Sequence, residues 1–266
     1  MPKKKDPSVT FLNKFGYNVI KLPRVGIEPL DVIGVDDTTQ WLGPLSSVWQ
    51  STVAVPEPSA PRPAAPVNGQ KTDKLDIGFG LQILSNALAA FGVAAPSLNL
   101  AYKHASKVQF SYTGVTSTVV SPLEAGNYMA SGTLNTNNPV VQHYFMQPDS
   151  QAFVIVDVLK SNSITVTALD EQGAEIGVDL PSIEGIVGAN VKVKPGGASN
   201  STITYTGKKP VTFGFVVDEI MFENGKWSLA GAAPSGALAF ATAPSAAAGA
   251  ATTSPILLGS GCRVAI

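Results

Sequence analysis

Two hydrophobic periods divide the chain. Up to about residue 96 apolar side chains recur at helical spacing, and beyond it they alternate with polar ones. Val9, Leu12 and Phe15 share one helical face of residues 7–16, which open on Pro7 and stop at Gly16, so a short capped helix is expected there. Residues 17–22 read as a strand ended by Pro23. A second amphipathic piece covers 42–49. The prolines at 56, 58, 61, 63 and 66 make the next stretch an extended loop. The strongest helix starts near Thr72 or Asp73, either of which can cap it. Leu75, Phe79, Ile83 and Leu84 form its apolar face, Leu88 and Phe91 follow, and Gly92 is the stop.

After Pro96 the period falls to two. Val108, Phe110 and Tyr112 alternate with Gln109, Ser111 and Thr113, and a turn at Gly114 leads into residues 115–120. A brief helix is expected at 122–131. Strands are expected at 153–160, at 164–169, where Ile164, Val166 and Ala168 alternate with Thr165 and Thr167, and then at 191–194, 203–206 and 211–221. Asn224-Gly225 marks a hairpin turn before Trp227. The predicted class is α+β: a twisted, mainly antiparallel sheet with N-terminal and surrounding helices.

Composition narrows the functions open to this fold. Only 14% of the 266 residues are charged against 44% apolar, so Ser, Thr, Asn, Gly and Ala must cover much of the surface. With 18 basic and 19 acidic residues the chain lacks the basic field that drives nucleic-acid binding, and no nucleic acid is expected as a partner. One cysteine, Cys262, rules out an internal disulfide framework. Two histidines give too few ligands for a structural zinc, and no cofactor is expected. No apolar run follows the basic start, and none reaches the length of a spanning helix, so a soluble cytoplasmic chain is expected.

Catalytic patterns are missing. Gly78 and Gly80 form a G-x-G with no third glycine and no strand leading in, which reads as small residues in a packed helix. Thr206-Gly207-Lys208-Lys209 lacks the earlier glycine and following helix of a phosphate loop. Asp170-Glu171 and Asp218-Glu219 diverge rather than converge on one atom, and both pairs read as solvated charge. His104 and His143 have no motif partner. The chain is not expected to be an enzyme.

The opening carries a more specific signal. Asp6-Pro7-Ser8-Val9-Thr10-Phe11-Leu12, Phe15-Gly16-Tyr17-Asn18-Val19-Ile20-Lys21-Leu22-Pro23-Arg24, Ile27-Glu28-Pro29-Leu30 and Leu42-Gly43-Pro44-Leu45 together resemble the start of bacterial gasdermins. That resemblance implies a pore-forming domain held as an inactive cytoplasmic monomer by a short C-terminal peptide. An activating protease encoded nearby would cut it, and the product would oligomerise in the inner membrane as a β-barrel, killing an infected cell in anti-phage defence. Many relatives carry an acylated cysteine near the N-terminus, whereas this chain begins Met1-Pro2-Lys3-Lys4-Lys5. Six basic residues, Lys3, Lys4, Lys5, Lys14, Lys21 and Arg24, stand there against Asp6 alone. Near an anionic leaflet each contributes about 1 kcal/mol, so basic charge is expected to replace the acyl chain.

Spanning β-strands need only about 9–11 residues with one apolar face. Residues 153–159 and 164–169 are expected to form one such hairpin, with Val154, Val156, Val158, Ile164 and Val166 toward lipid and Asp157 toward the lumen. Residues 107–120, with Val108 and Phe110, would form another with 140–145 once the helix between them melts. A lone hairpin would leave its edges unpaired in hydrocarbon, so membrane lipids and further copies of the chain are the expected partners.

The tail departs from the rest. From Trp227 onward Arg263 is the only charged side chain, and residues 230–253 are almost wholly Ala, Gly, Ser, Thr and Pro. The expected division is a pore-forming domain at 1–229, a linker at 230–253 and an inhibitory peptide at 254–266. Ile256, Leu257, Leu258, Val264 and Ile266 are its expected contacts, and Leu238 and Phe240 are the best side chains to fill a protease pocket. No acid follows Glu223, so cleavage after an acidic residue is impossible in the tail. The competing reading is a β-rich structural or surface-binding module with a flexible tail.

Overall fold

The computed structural model describes residues 16–36, 38–94, 96–223, 225–232 and 263–264. Residues 7–15 of the helix expected at 7–16 lie outside them. Strands β1 (Asn18–Arg24), β2 (Asp31–Val35), β3 (Thr39–Pro44), β4 (Trp49–Ser51), β5 (Arg62–Pro63) and β6 (Leu75–Asp76) precede helix α1 (Ile77–Ala90). Then come β7 (Lys107–Thr113), β8 (Thr116–Val119), α2 (Pro122–Ala130), β9 (Gly132–Leu134), α3 (Pro139–Met146) and β10 (Gln151–Leu169). Helix α4 (Leu180–Val187), β11 (Val191–Gly196), β12 (Thr202–Glu223), β13 (Lys226–Ala232) and β14 (Arg263–Val264) complete the order. The α+β class and the antiparallel sheet are as expected.

The spine of the sheet is the antiparallel pair β10 and β12, of 19 and 22 residues. Sequence alternation breaks each of them into two strands joined by a turn, and the structure makes each continuous. Residues 153–159 and 164–169 therefore form no hairpin. The interruption is a bend: Ser161 pairs with Val211 and Ser163 with Thr206, so Gly207 to Pro210 bulge out opposite Asn162. Along its other edge β10 binds β2, then β8, then β7 in succession. Gly114, at φ +63°, bends the path between β7 and β8 without reversing it, so 107–119 is one run beside β10 and not a hairpin. The outer edge of β12 binds β11, β1 and β13.

Local chemistry explains other departures. Asp76 caps α1, accepting from the Gly78 N–H at 3.0 Å. The expected cap Thr72 instead accepts from the Phe110 N–H on β7. Residues 42–49 form no helix: Gly43, at φ +104°, sits at a bulge between β2 and β3, and only Leu45–Ser47 make one 3-10 turn. Strand β1 runs through Pro23, because its register with β12 jumps between Val19 and Arg24 and no ladder donor is needed there. Residues 140–145 lie in α3, capped by Asn138 with Pro139 behind it. Helix α4, capped by Asp179, was not expected from periodicity. The turn before Trp227 is present, with Glu223 opposite Lys226 and Gly225 at φ +76°.

Candidate functional site

Beyond the bend, β7, β10, β12 and β11 form a four-stranded antiparallel patch with two unlike faces. Cross-strand partners share a face. One face carries the rows Tyr112, Ile164, Tyr205, Val193 and Phe110, Val166, Ile203, Pro195, with Val108 opposite Ala168 beyond them. The other carries Thr113, Ser163, Thr206, Lys192, then Ser111, Thr165, Thr204, Lys194, then Gln109, Thr167, Thr202. Its hydroxyls pair across the spine: Thr165 with Thr204 at 2.9 Å and Thr167 with Thr202 at 3.1 Å.

The apolar face is covered by α1 and α4, and Leu81, Leu84, Leu88, Ile183 and Val187 join its core cluster. Two glycines set the height of α1. A Cβ on Gly80 would run into the Cγ2 methyl of Val108, and one on Gly207 of β12 would run into the ring of Phe91 at the end of the helix. Beneath this cover the hydroxyls of Tyr102 and Tyr205 meet at 2.8 Å, and burial pushes both phenols above their ordinary range. The cover is thus close-fitting at both ends, with one buried polar pair under it.

The expected lipid-facing residues divide accordingly. Val108, Phe110, Ile164 and Val166 share one face and one cluster, as their alternation implies. Val154, Val156 and Val158 do not share a face. Ile155 pairs with Val217 and Asp157 with Val216, so Val156 is the extra residue of a bulge and the alternation changes phase. Val154 and Val156 pack with Trp49, Tyr128 and Ile220, while Val158 packs with Phe153, Ile155 and Phe215 on the other side.

Asp157 is held near the bend. Its carboxylate accepts from Tyr17 Oη at 2.6 Å and from Ser117 Oγ at 2.7 Å. Burial raises its pKa, and the two hydroxyl donors oppose that rise. Asp218 is the reverse case and not the solvated charge expected of it, because its position on β12 turns it inward: 4% exposed, with Oδ2 lacking a hydrogen-bond partner, its pKa is pushed by burial up to about 6. His143 meets the Asp36 carboxylate at 2.9 Å on the surface. Among the described residues no group of three or more His, Cys, Asp or Glu is placed to hold a metal ion, and no helix is long and apolar enough to cross a membrane.

Of the basic residues, Lys21 and Arg24 lie on β1 beside β12, and Lys3, Lys4, Lys5 and Lys14 lie outside the described residues. Leu238, Phe240, Ile256, Leu257, Leu258 and Ile266 also lie outside them. Val264 is on β14, whose backbone pairs with Gly231 of β13.

Comparison with known proteins agrees with this geometry. The model of the Bacterial Gasdermin Family matches residues 20–226. Gasdermin bGSDM of Vitiosangium sp. (strain GDMCC 1.1324) is 38% identical over 238 residues, covering 89% of this chain and 88% of its own length. Gasdermin bGSDM of Lysobacter enzymogenes is 31% identical over 231 residues, covering 85% and 84%. The solved structure of a bacterial gasdermin from Bradyrhizobium tropiciagri has the same fold, with a TM-score of 0.59 at 18% identity over 84% of this chain and 88% of that one. The chain therefore belongs to the bacterial gasdermin family, and so to the pore-forming cell-death proteins, which are generally non-enzymatic.

Proposed function

We propose that this protein is an autoinhibited pore former. In this reading residues 254–266 hold it inactive, a protease cuts within 230–253, and the freed domain assembles with its copies as a β-barrel in the inner membrane. The cell then dies before an infecting phage can multiply. The carrying observation is the two-faced patch of β7, β10, β12 and β11, with valines, isoleucines and aromatics on one side and hydroxyls on the other. A barrel strand needs that alternation, apolar toward lipid and polar toward water. The lipid-facing set is then Val108, Phe110, Ile164, Val166, Ile203 and Val193, and α1 and α4 are the cover that must leave. Several copies are needed, because four strands cannot close a wide ring and open edges in hydrocarbon cost several kcal/mol for each unpaired group.

The tail suits a reversible latch. Five apolar side chains, Ile256, Leu257, Leu258, Val264 and Ile266, gain about 1.5–3 kcal/mol each on burial, and ordering a dozen residues costs about 1.5 kcal/mol apiece. Such a peptide binds weakly alone. Tethered, it sees its site at roughly millimolar effective concentration, and cleavage removes that advantage. Leu238 and Phe240 are the proposed cleavage side chains. Expression of residues 1–230 is the test: growth arrest and release of dye from anionic vesicles are expected. A folded, harmless truncated chain would overturn the reading, and would favour a binding module instead.

A further inference from the structure

The outer edge of the two-faced patch is already occupied. Along the side of β7 and β8 that faces away from β10 runs the segment 59–76, proline-rich in its first half. It is a strap and not a regular strand: only Arg62–Pro63 and Leu75–Asp76 count as strand, with an isolated bridge from Lys71 to Ser111 between them. Its N–H groups reach the edge carbonyls at intervals, Ser59 to Val119, Ala64 to Val115, Gly69 to Tyr112 and Thr72 to Phe110, at 2.7–2.9 Å. Outside those short pairings three return bonds are different. The edge N–H groups of Val119, Val115 and Phe110 are accepted by side chains, Ser59 Oγ at 3.2 Å, Asn68 Oδ1 at 3.2 Å and Thr72 Oγ1 at 3.0 Å.

At these three positions side-chain acceptors stand in for the carbonyls that a pairing strand would offer. Pro61, Pro63 and Pro66 supply no N–H, so the strap cannot build a full ladder. An edge satisfied in this manner is shielded from other chains yet lightly held. At the opposite end of the patch, β11 pairs on one side with β12, and among the described residues no strand pairs with its other side. Four alternating strands leave β11 and β7 running in opposite directions. The β11 of one copy can therefore meet the β7 of the next antiparallel, a head-to-tail contact that forms a ring when the rotation between copies closes.

We propose that residues 59–76 are an intrinsic edge guard, a second inhibitory element separate from the C-terminal tail, and that they must peel from β7 and β8 before a second copy of the chain can pair there. This inference rests on the pore-forming reading above. Cutting the tail frees the domain to bind membrane, and release of the strap opens the seam between subunits.

Locking the strap tests this. Lys71 and Ser111 are opposed, and the Thr72 to Phe110 bond beside them makes theirs a closely spaced pair without mutual hydrogen bonds, the kind a disulfide can bridge. Lys71→Cys and Ser111→Cys are introduced with Cys262→Ser into a chain carrying a site for a specific protease within 233–253. After the cut, the oxidised form is expected to bind anionic vesicles yet to release dye at least tenfold more slowly than the same sample reduced, with no ring-sized oligomers. Equal leakage from oxidised and reduced samples overturns the guard. The independent arm removes two caps, Ser59→Ala with Asn68→Ala: a shorter lag before leakage is expected, and an unchanged lag overturns the proposal. If the cut chain without the cysteine pair releases no dye at all, the pore-forming reading itself fails.

Discussion

Tyr17 and Asp157 stand 140 positions apart, and the phenol donates to the carboxylate at 2.6 Å. The bond ties the chain just ahead of β1 to the middle of the spine strand β10, close to the bulge that changes its phase. A half-buried carboxylate with two hydroxyl donors is a costly group to leave half satisfied.

Tyr17→Phe should therefore destabilise the folded chain by about 1.5–3 kcal/mol at pH 7.5, the usual worth of a hydrogen bond to a charged partner. The effect should shrink in acid. Burial holds the Asp157 pKa above its ordinary value, so below that pKa the group is neutral and loses only an ordinary bond. Urea denaturation of both chains at pH 4 and pH 7.5 measures the difference.

Gly80→Ala should lower stability although alanine is the better helix former. The new methyl meets Val108, whose branched side chain is fully buried and cannot swing away, and overpacking of this kind costs about 1–3 kcal/mol. Combined with Val108→Ala, which vacates that space, the loss should be less than the sum of the two single losses. A double-mutant cycle on thermal unfolding gives the coupling. In cut protein, Gly80→Ala alone should speed vesicle leakage, since it lifts the α1 cover.

Asp218 sets a pH dependence. Its folded pKa, about 6, lies above the unfolded value of 3.8, so between these the folded chain holds more protons. Stability then falls as pH rises through that window, and above it the full penalty applies. Asp218→Asn should flatten the slope between pH 4 and pH 6 and stabilise the chain by about 1–3 kcal/mol at pH 7.5. Melting temperatures across this range supply the check.

Replacing Lys3, Lys4 and Lys5 with Gln should weaken leakage of anionic vesicles more than of neutral ones. Their charge acts within about a Debye length of the surface, so added salt should narrow the gap. Equal losses on both vesicle types would mark the cluster as an ordinary solvated terminus.

Periodicity alone carried the class of this fold and much of its site. The alternation of Val108, Phe110, Ile164 and Val166 with Gln109, Ser111, Thr165 and Thr167 already separates an apolar face from a hydroxyl face, because successive side chains on a strand point opposite ways. Helices α3 and α4 were legible in a signal that periodicity passes over: Asn138 before Pro139, and Asp179 just ahead of Pro181, are cap-and-proline starts. Tertiary structure decided the rest. Whether Ser161-Asn162-Ser163 turns the chain or bends a continuous strand depends on what lies alongside, and β12 and β7 lie there, found 40 or more residues away. The bulge at Val156 is set by β12, and one unpaired residue reverses every later facing, so Val154 and Val158 part company with no mark in their own sequence. The proline-rich stretch reads as loop in any window, and only its register with β7 and β8 makes it the cover of an edge. Long-range pairing is fixed by partners and not by neighbours, which is why a strand's face could be read from the residues and its place could not.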